Sequence, residues 1–420
     1  MNLQIVKVIA LIALFVSLCF PACAKSPETL VSKEEWKEDL LVFEQKLREN
    51  HIDLFHSISE EHFVSKLNEI ADDFVEDQFQ KSLIDMMRLT RQIGDGHTTF
   101  PLWGLTQQQL PITFSFIDGE YYVTSATGRY EKLLGSKLVA LNSIPVLDLE
   151  NQIGQIVPFV ENEHSRRVRT ARGLSDEVLL QGLGIVGRHS SEVSIELKKS
   201  GAILSQTLEL MSRKAFESSE KKSIANRNTN DFETVFKTNE RLWFGQHKTD
   251  PTILINFGRY PNYDEAHLLG NALIEHIREQ GTQTIIIDLR DNYGGDFFLG
   301  LLLASYLNLA DSVDWRNGVF VLTNGKTFSA AMSNTSQFKE ILNARVVGGA
   351  TGAAPCGYQD MGSFVLPHSK LEVTYSKRKF CFEQSKTDAI EPDFPIEVSI
   401  DDYLKSKDAA LEWVLSYTSE

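Results

Sequence analysis

A serine, a histidine and a pair of glycines lie where each could take part in acyl transfer. Gly294 and Gly295 follow the hydrophobic run TIIIDLR, and Ser329 lies at the start of a predicted helix after a second run, GVFVLTN. His97 follows two turns on glycine in the segment QIGDGHTTF. A serine hydroxyl is a weak nucleophile until a base takes its proton, so the serine and the histidine would have to meet in the fold.

The glycines suggest how the resulting negative charge would be held. A hydroxyl that attacks a carbonyl generates an oxyanion, which needs backbone N–H groups aimed at it. The N–H of Ala330 and that of Gly294 or Gly295 could supply them, because glycine permits unusual dihedral angles and close approach of a substrate. Simpler interpretations exist, since serine is a leading N-cap residue and a histidine in a glycine turn is usually a surface residue. The combination favours a nucleophile, its base and an oxyanion hole.

The elements that would position the serine and the glycines form an α/β pattern over residues 233–420. The predicted strands TILINF, TIIIDLR, GVFVLTN and ARVVGG alternate with helices predicted over 264–279, 297–307 and 329–342. This alternation is typical of βαβ units with a mostly parallel sheet. In such sheets ligands bind at the carboxyl ends of the strands, and the glycine pair and the serine both fall there.

The histidine belongs to a different part of the chain, predicted to be helical over residues 25–105. Ser32 and Glu35 form the pattern of a capping box, and apolar residues then recur at helical spacing in three segments. Gly94 follows the third segment as a C′ residue would. His97 is therefore expected just beyond the end of a helix.

A β-rich module is predicted between these two regions, over residues 106–211. Apolar and polar residues alternate on both sides of Asp118-Gly119, which indicates a hairpin. Residues 150–187 interrupt the module with a mainly helical insert. The polar segment 212–232 that follows is predicted to be a linker.

Several segments together resemble the tail-specific (C-terminal processing) serine peptidase family. IIIDLRDNYGGD, VLTNGKTFSAA, VVGGATG, FVLPHSKLEVTYS and IEPDFPIEV follow the order and spacing of that family, and GDGH is similar to its upstream histidine motif. LLGSKLVALNSIPV looks like its PDZ-like module. The resemblance implies a ClpP/crotonase-like α/β core, a PDZ-like domain, and an acyl-enzyme formed on Ser329 with a peptide or protein substrate.

Two positions bear on the base. The bacterial processing branch of the family pairs its serine with a lysine, but Ala354 stands where that lysine is expected, and Lys326 and Lys339 are poorly positioned. The branch resembling the tricorn core protease uses an upstream histidine, a role that His97 fits. That branch has a serine immediately before its histidine, where this chain has Gly96.

The tricorn-like branch also implies an acidic residue that orients the histidine, near the C-terminal Pro-Asp motif. Glu383, Asp388 and Glu391 are candidates, and their spacing does not choose among them. The alternative function is that of a catalytically inactive member binding a hydrophobic ligand or peptide, as implied by the related modules of interphotoreceptor retinoid-binding protein. The retention of both Ser329 and His97 favours the peptidase.

The N-terminus carries the pattern of a secretory signal. Lys7 precedes an apolar run from Val8 to Phe20, and Ala22-Cys23-Ala24 supplies a small-residue cleavage site. The run is shorter than the roughly 18 residues that a membrane span needs. We therefore predict a signal peptide over residues 1–24 and an exported, periplasmic or extracellular protein without a stable membrane span. A lipoprotein is a minor alternative, because the residues before Cys23 make a poor lipobox.

Composition excludes some partners and suggests one covalent link. A formal net charge of −15 argues against a nucleic-acid partner. Cys356 and Cys381 form an even pair in the predicted mature chain, and a disulfide between them would contribute about 3 kcal/mol. No metal-ligand or phosphate-binding spacing is present, so neither a metal nor a cofactor is predicted. The sequence leaves open the cleavage preference, endo- or exopeptidase action and the oligomeric state.

Overall fold

The computed structural model describes residues 31–105, 108–225, 227–383 and 387–418. The predicted signal peptide lies outside the described residues. The described chain is a mixed α/β protein with two large sheets, a long two-stranded ribbon and helices that cover them. No helix of this described part is both long and apolar enough to cross a membrane.

The N-terminal region is a set of three amphipathic helices. They are α1 (Lys33–Asn50), α2 (Glu60–Asp72) and α3 (Phe79–Ile93), with a 3₁₀ turn at Glu76–Gln78. The predicted capping box forms at the start of α1, where Ser32 and Glu35 each satisfy the other's backbone N–H. Gly94 ends α3 in the left-handed conformation, with φ of 90°, which glycine adopts without a Cβ clash. The chain therefore leaves α3 in a sharp turn toward His97.

The second region is built on an antiparallel sheet with the helical insert on it. Its elements are β1 (Gln108–Gln109), β2 (Ile112–Ile117), β3 (Glu120–Thr127), β4 (Lys137–Leu141), β5 (Ile144–Pro145), α4 (Val146–Gly154), α5 (Glu163–Gly173), α6 (Glu177–Gly182), β6 (Glu192–Lys199), β7 (Ala202–Glu209), β8 (Met211–Ser212), α7 (Arg213–Ser218) and β9 (Lys221–Ser223), with a 3₁₀ helix at Gly128–Leu133. The main path of the sheet is β2-β3-β4-β6-β7. The hairpin turns at Asp118 and Gly119, both with positive φ, as a two-residue β-turn requires.

The segment expected to be a linker has secondary structure of its own. It contains α7 and β9, and β9 pairs with β3 through Ser125↔Ser223, Ala126↔Lys222 and Thr127↔Lys221. All three residues of β9 are exposed, and for this reason their composition resembles that of a loop. Backbone hydrogen bonding to a neighbouring strand, which leaves no hydrophobic pattern, overrides the local composition here.

The third region holds the predicted parallel sheet. Its elements are β10 (Phe232–Asn239), β11 (Leu242–His247), β12 (Thr252–Phe257), α8 (Tyr263–Gln280), β13 (Thr284–Asp288), α9 (Phe297–Leu307), β14 (Val319–Thr323), α10 (Ala330–Leu342), β15 (Arg345–Gly348), β16 (Cys356–Val365), β17 (Glu372–Cys381), β18 (Phe394–Pro395), α11 (Ile400–Leu404) and α12 (Ala409–Thr418). Strands run β10-β11-β12-β13-β14-β15-β18, parallel from β12 onward.

Helices cover both faces of this sheet, which explains its continuous apolar strands. Every residue of β12, β13 and β14 is buried. Residues of α8, α9 and α10 pack on one face and residues of α12 on the other. Strands buried on both faces lose the period-two alternation and become uniformly hydrophobic.

Strands β16 and β17 form a ten-residue antiparallel ribbon that reaches from the parallel sheet toward the N-terminal helices. A disulfide joins Cys356 to Cys381 at one end, where the two residues are paired in register. Further along, the backbone of Thr374 exchanges two hydrogen bonds with that of Thr99, just after His97. The ribbon thus ties the histidine segment to the α/β region.

Candidate active site

Ser329 has a backbone conformation that turns its hydroxyl away from the helix it precedes. Its φ of 52° and ψ of −126° lie outside the regions that non-glycine residues prefer, at a cost of about 1–3 kcal/mol. The side chain makes no capping hydrogen bond to α10. The simpler interpretation of Ser329 as an ordinary N-cap therefore does not describe this residue. A serine on a strained turn between a strand and a helix has the geometry of a nucleophile elbow.

Gly294 packs directly against this turn. A Cβ atom at Gly294 would lie 2.7 Å from Cβ of Ser329 and 3.2 Å from the nitrogen of Ala330, so any side chain would displace the serine. The Gly294 N–H donates to Oδ1 of Asn292 at 2.9 Å. The absence of a side chain at Gly294 thus leaves room for Ser329, whereas the Gly294 N–H is already hydrogen-bonded.

Two other amides remain at the same place. Within the described residues, no acceptor is found for the N–H of Gly295 or of Ala330. Both residues line the cavity beside Ser329. Of the amides considered from the sequence, these two are the ones that could meet an oxyanion in the structure.

His97 reaches Ser329 although 232 residues separate them in the chain. Its Nε2 atom lies 3.0 Å from Oγ of Ser329. The imidazole also stacks on the ring of Phe328, with centroids 5.4 Å apart. Lys326 and Lys339, the other basic side chains near the serine in sequence, lie 3.2 Å from Asp291 and 3.7 Å from Asp393.

Asp95 holds the turn that carries His97. One carboxylate oxygen accepts hydrogen bonds from the N–H groups of His97 and Thr98 and from the Ser376 hydroxyl, at 2.9, 2.8 and 2.6 Å. The other oxygen lies 2.9 Å from Nε2 of His51. Burial acts to raise the pKa of Asp95, but hydrogen bonds from His51 and Ser376 and the imidazole of His56, whose Nε2 lies 3.9 Å away, hold it well below its ordinary value. A charged, fully engaged carboxylate thus fixes the backbone at the histidine.

Glu161, which the sequence did not single out, faces the other nitrogen of His97. Its Oε1 atom lies 3.3 Å from Nδ1, and the two side chains are 7% and 5% exposed. Neither of these two atoms has another partner among the described residues. The second oxygen of Glu161 accepts a hydrogen bond from the N–H of Ala354 at 3.0 Å. Gly96 leaves space for this carboxylate, because a Cβ there would lie 2.5 Å from Cγ of Glu161.

The segment after Glu161 anchors it. Asn162 caps α5 in a capping box with Ser165, and its side-chain amide donates to the carbonyls of Thr351 and Asp388 at 3.0 and 2.7 Å. Nothing in the sequence spacing links Glu161 to a histidine 64 residues earlier.

The acidic residues expected to orient the histidine lie in other settings. Asp388 and Glu391 have exposed side chains, and Asp388 contributes its backbone carbonyl to the anchor of Asn162. Glu383 is half-buried beyond the end of β17. The carboxylate that faces Nδ1 of His97 is that of Glu161.

A cavity of about 830 Å³ opens beside these residues, between α5, the 293–298 loop and the β16–β17 ribbon. Its walls include the aromatic side chains of Trp103, Phe159, Tyr293, Phe298, Phe328 and Phe380. The volume is large enough to hold a few peptide residues. Ser329, His97, Gly295 and Ala330 all line it.

Comparisons with known proteins give a result for structure alone. No protein family and no curated protein matches the sequence. Mature CPAF complexed with lactacystin is similar at a TM-score of 0.64 and 12% identity, over 92% of this chain and 97% of that one. A CPAF mutant gives 0.65 and 13%, over 92% and 96%. The chain has the fold of CPAF.

Other structural neighbours include the photosystem II D1 C-terminal processing protease and the tricorn protease. The first matches over 89% of this chain and 98% of that one, at 13% identity and a TM-score of 0.40. The likeness to CPAF concerns the fold, and the chemistry has to be argued from the residues.

Proposed function

We propose that the chain is a serine peptidase in which Ser329 attacks the scissile carbonyl and His97 is the general base. The observation that carries the proposal is the 3.0 Å contact between Nε2 of His97 and Oγ of Ser329. It is supported by the strained turn that aims the hydroxyl at the cavity and not at the helix. A nucleophile within hydrogen-bond reach of a positioned base is the diagnostic arrangement for covalent catalysis.

The reaction runs in two stages. In the first, Nε2 of His97 takes the proton of Ser329 as Oγ bonds to the carbonyl carbon, and the N–H groups of Gly295 and Ala330 stabilise the oxyanion. The C–N bond then breaks, and the imidazolium gives its proton to the leaving amine. In the second stage His97 takes a proton from water as it attacks the acyl-enzyme, and Ser329 regains its proton when the ester bond breaks.

Glu161 acts in this scheme as the positioning residue for His97. A carboxylate at Nδ1 favours the tautomer that keeps the proton on Nδ1, which leaves Nε2 free to accept from serine. It also stabilises the imidazolium that forms during each stage. The 3.3 Å contact is longer than a good charge-assisted hydrogen bond, and such contacts commonly tighten when substrate binds.

The same proposal extends to location and domains. An exported protein would carry its disulfide in an oxidising compartment, where the Cys356–Cys381 bond persists. The region of residues 106–211, which contains the antiparallel sheet, would serve as a PDZ-like domain beside a ClpP/crotonase-like core. Both assignments rest on the sequence motifs.

Labelling with a fluorophosphonate tests the mechanism, because the reagent reacts only with an activated serine. We expect the purified protein to be labelled, and Ser329→Ala and His97→Ala to abolish labelling without loss of fold. Ser336→Ala, a buried serine two turns further along α10, is the matched control and should be labelled like the wild type. Labelling lost in Ser329→Ala alone would require another base. A folded wild type that is not labelled would favour the alternative function of binding a hydrophobic ligand or peptide in the aromatic cavity.

A further inference from the structure

An arginine without a carboxylate partner lies in the wall of the cavity beside Ser329. The guanidinium of Arg169, on α5, stands 4.4 Å from the ring centroid of Tyr293 and 5.4 Å from that of Phe328. In the part of the chain that the structure describes, no ion pair or hydrogen bond involves this guanidinium. Its neighbours differ, because Arg166 and Arg167 both pair with Glu163 at 2.6 and 2.8 Å. The unpaired arginine is therefore a particular feature of the helix face that meets the cavity.

Arg172, one turn further along the same helix, also lines the cavity. Burial lowers the pKa of Arg169 to about 10, and the charge of Arg172 acts in the same direction. Arg169 nevertheless remains a cation at neutral pH. Aromatic faces compensate only part of what a guanidinium loses when it leaves water. A protein of net charge −15 thus keeps a partly desolvated cation aimed at its candidate active site.

The position of Arg169 relative to the reacting groups follows from a shared ring. Phe328 stacks on His97 and also contacts the Arg169 guanidinium, and both the imidazole centroid and the guanidinium carbon lie 5.4 Å from its ring centroid. The guanidinium carbon and the His97 ring centre are therefore at most about 11 Å apart, which extended peptide spans in about three residues. An anion bound at Arg169 would lie close to the bond that Ser329 attacks.

We propose that Arg169 binds a carboxylate of the substrate within about three residues of the scissile bond. A guanidinium matches a carboxylate through two parallel N–H···O bonds, which gives it selectivity as well as affinity. The carboxylate could belong to the C-terminus of the peptide or to an Asp or Glu side chain. The aromatic walls around it would accept apolar neighbours of that carboxylate. The distance to the scissile bond rests on the proposed function, whereas carboxylate binding itself does not.

Peptide binding to the full-length Ser329→Ala protein tests this without requiring turnover. The probe is a randomised octapeptide pool, prepared once with free C-termini and once as C-terminal amides. Bound peptides are eluted and quantified by mass spectrometry. A bidentate charged pair is worth about ten- to a hundredfold in affinity, so carboxylate-bearing peptides should be enriched by about tenfold or more. Enrichment confined to the free-acid pool would identify the C-terminus, and enrichment of Asp or Glu in both pools would identify a side chain.

Arg169→Gln in the same background should abolish the enrichment, and Arg169→Lys should retain part of it. Arg167→Gln, which removes a cation of the same helix that pairs with Glu163, should leave it unchanged. Absence of enrichment in folded Ser329→Ala, or enrichment that survives Arg169→Gln, would overturn the proposal. The proposed peptidase activity is tested separately, by fluorophosphonate labelling of the wild type.

Discussion

Glu161→Gln is the most informative perturbation of the candidate site, because it changes one atom at a side chain with two separate tasks. One oxygen of Glu161 faces Nδ1 of His97 and the other accepts from the N–H of Ala354. Glutamine has a single oxygen, so only one of these two donors can keep its acceptor. Its NH₂ group must then face the other donor in a buried site, which is unfavourable in either orientation. The variant thus loses the negative charge and one hydrogen bond together.

We expect Glu161→Gln to lower the rate of the reaction without unfolding the protein. Replacing the orienting acid of a Ser-His-Asp triad by its amide lowers kcat by about 10⁴-fold. The contact here is 3.3 Å and not yet a well-formed hydrogen bond, so we expect about a hundredfold loss in kcat/KM and in the rate of fluorophosphonate labelling. The loss should fall mainly on kcat with little change in KM, because the carboxylate stabilises the imidazolium that forms only as the reaction proceeds. A merely structural role for Glu161 would not produce this split.

A double-mutant cycle with Gly96 checks the physical route. A Cβ atom at Gly96 would lie 2.5 Å from Cγ of Glu161 and 2.9 Å from a ring atom of Phe328, so Gly96→Ala must displace one of them by several tenths of an ångström or more. A misplacement of about 1 Å in a catalytic group can cost about a hundredfold. If Gly96→Ala acts through Glu161, the double variant should be no slower than Glu161→Gln alone. Additive losses, or a Glu161→Gln variant with the kcat of the wild type, would refute this reasoning.

Three further outcomes are expected. Gly294→Ala should reduce labelling of Ser329 by about a hundredfold with little change in secondary structure, because its Cβ would lie 2.7 Å from that of the serine; circular dichroism and labelling rates check it together. Replacing Cys356 and Cys381 by serine should lower the free energy of unfolding by about 3 kcal/mol, measured by denaturant titration with and without reductant. The pKa of Asp95 is lower in the folded chain than in the unfolded one, so its contribution to stability is present above about pH 4 and is lost as the pH falls; thermal unfolding should show a shallower acid dependence in Asp95→Asn.

The parts of the site that the sequence predicts are those fixed by local signals. Strand-ending residues, a glycine pair and a helix start place Gly294, Gly295 and Ser329 on one edge of the sheet, and a capped helix with a glycine turn presents His97. These signals depend on periodicity and backbone preference, which act within about ten residues. The sequence could not predict which glycine N–H is free to bind an oxyanion, because the Gly294 N–H donates a hydrogen bond to the side chain of Asn292.

The acidic partner of the histidine is not a local feature. Glu161 immediately precedes the helix cap Asn162. It reaches His97 because the side chain of Asn162 is hydrogen-bonded to the carbonyls of Thr351 and Asp388, which are distant in sequence. Similarly, Arg169 lies on a helix that also carries Arg166 and Arg167. It differs from them in lining the cavity, which its residue type does not reveal. Tertiary contacts of this kind have no counterpart in spacing or composition.

Two positions that depart from the pattern of the family that the motifs resemble meet at one carboxylate. Gly96 supplies the space that Glu161 occupies, and Ala354 supplies the backbone N–H that holds its second oxygen. A buried carboxylate with one oxygen outside good hydrogen-bond distance of any donor is costly to stability, and so is the positive φ of Ser329. Costs of this kind concentrate at working active sites, where the surrounding fold offsets them. The substitutions therefore favour a rebuilt site with a different acid over a site that has lost its chemistry, and Glu161→Gln discriminates between the two.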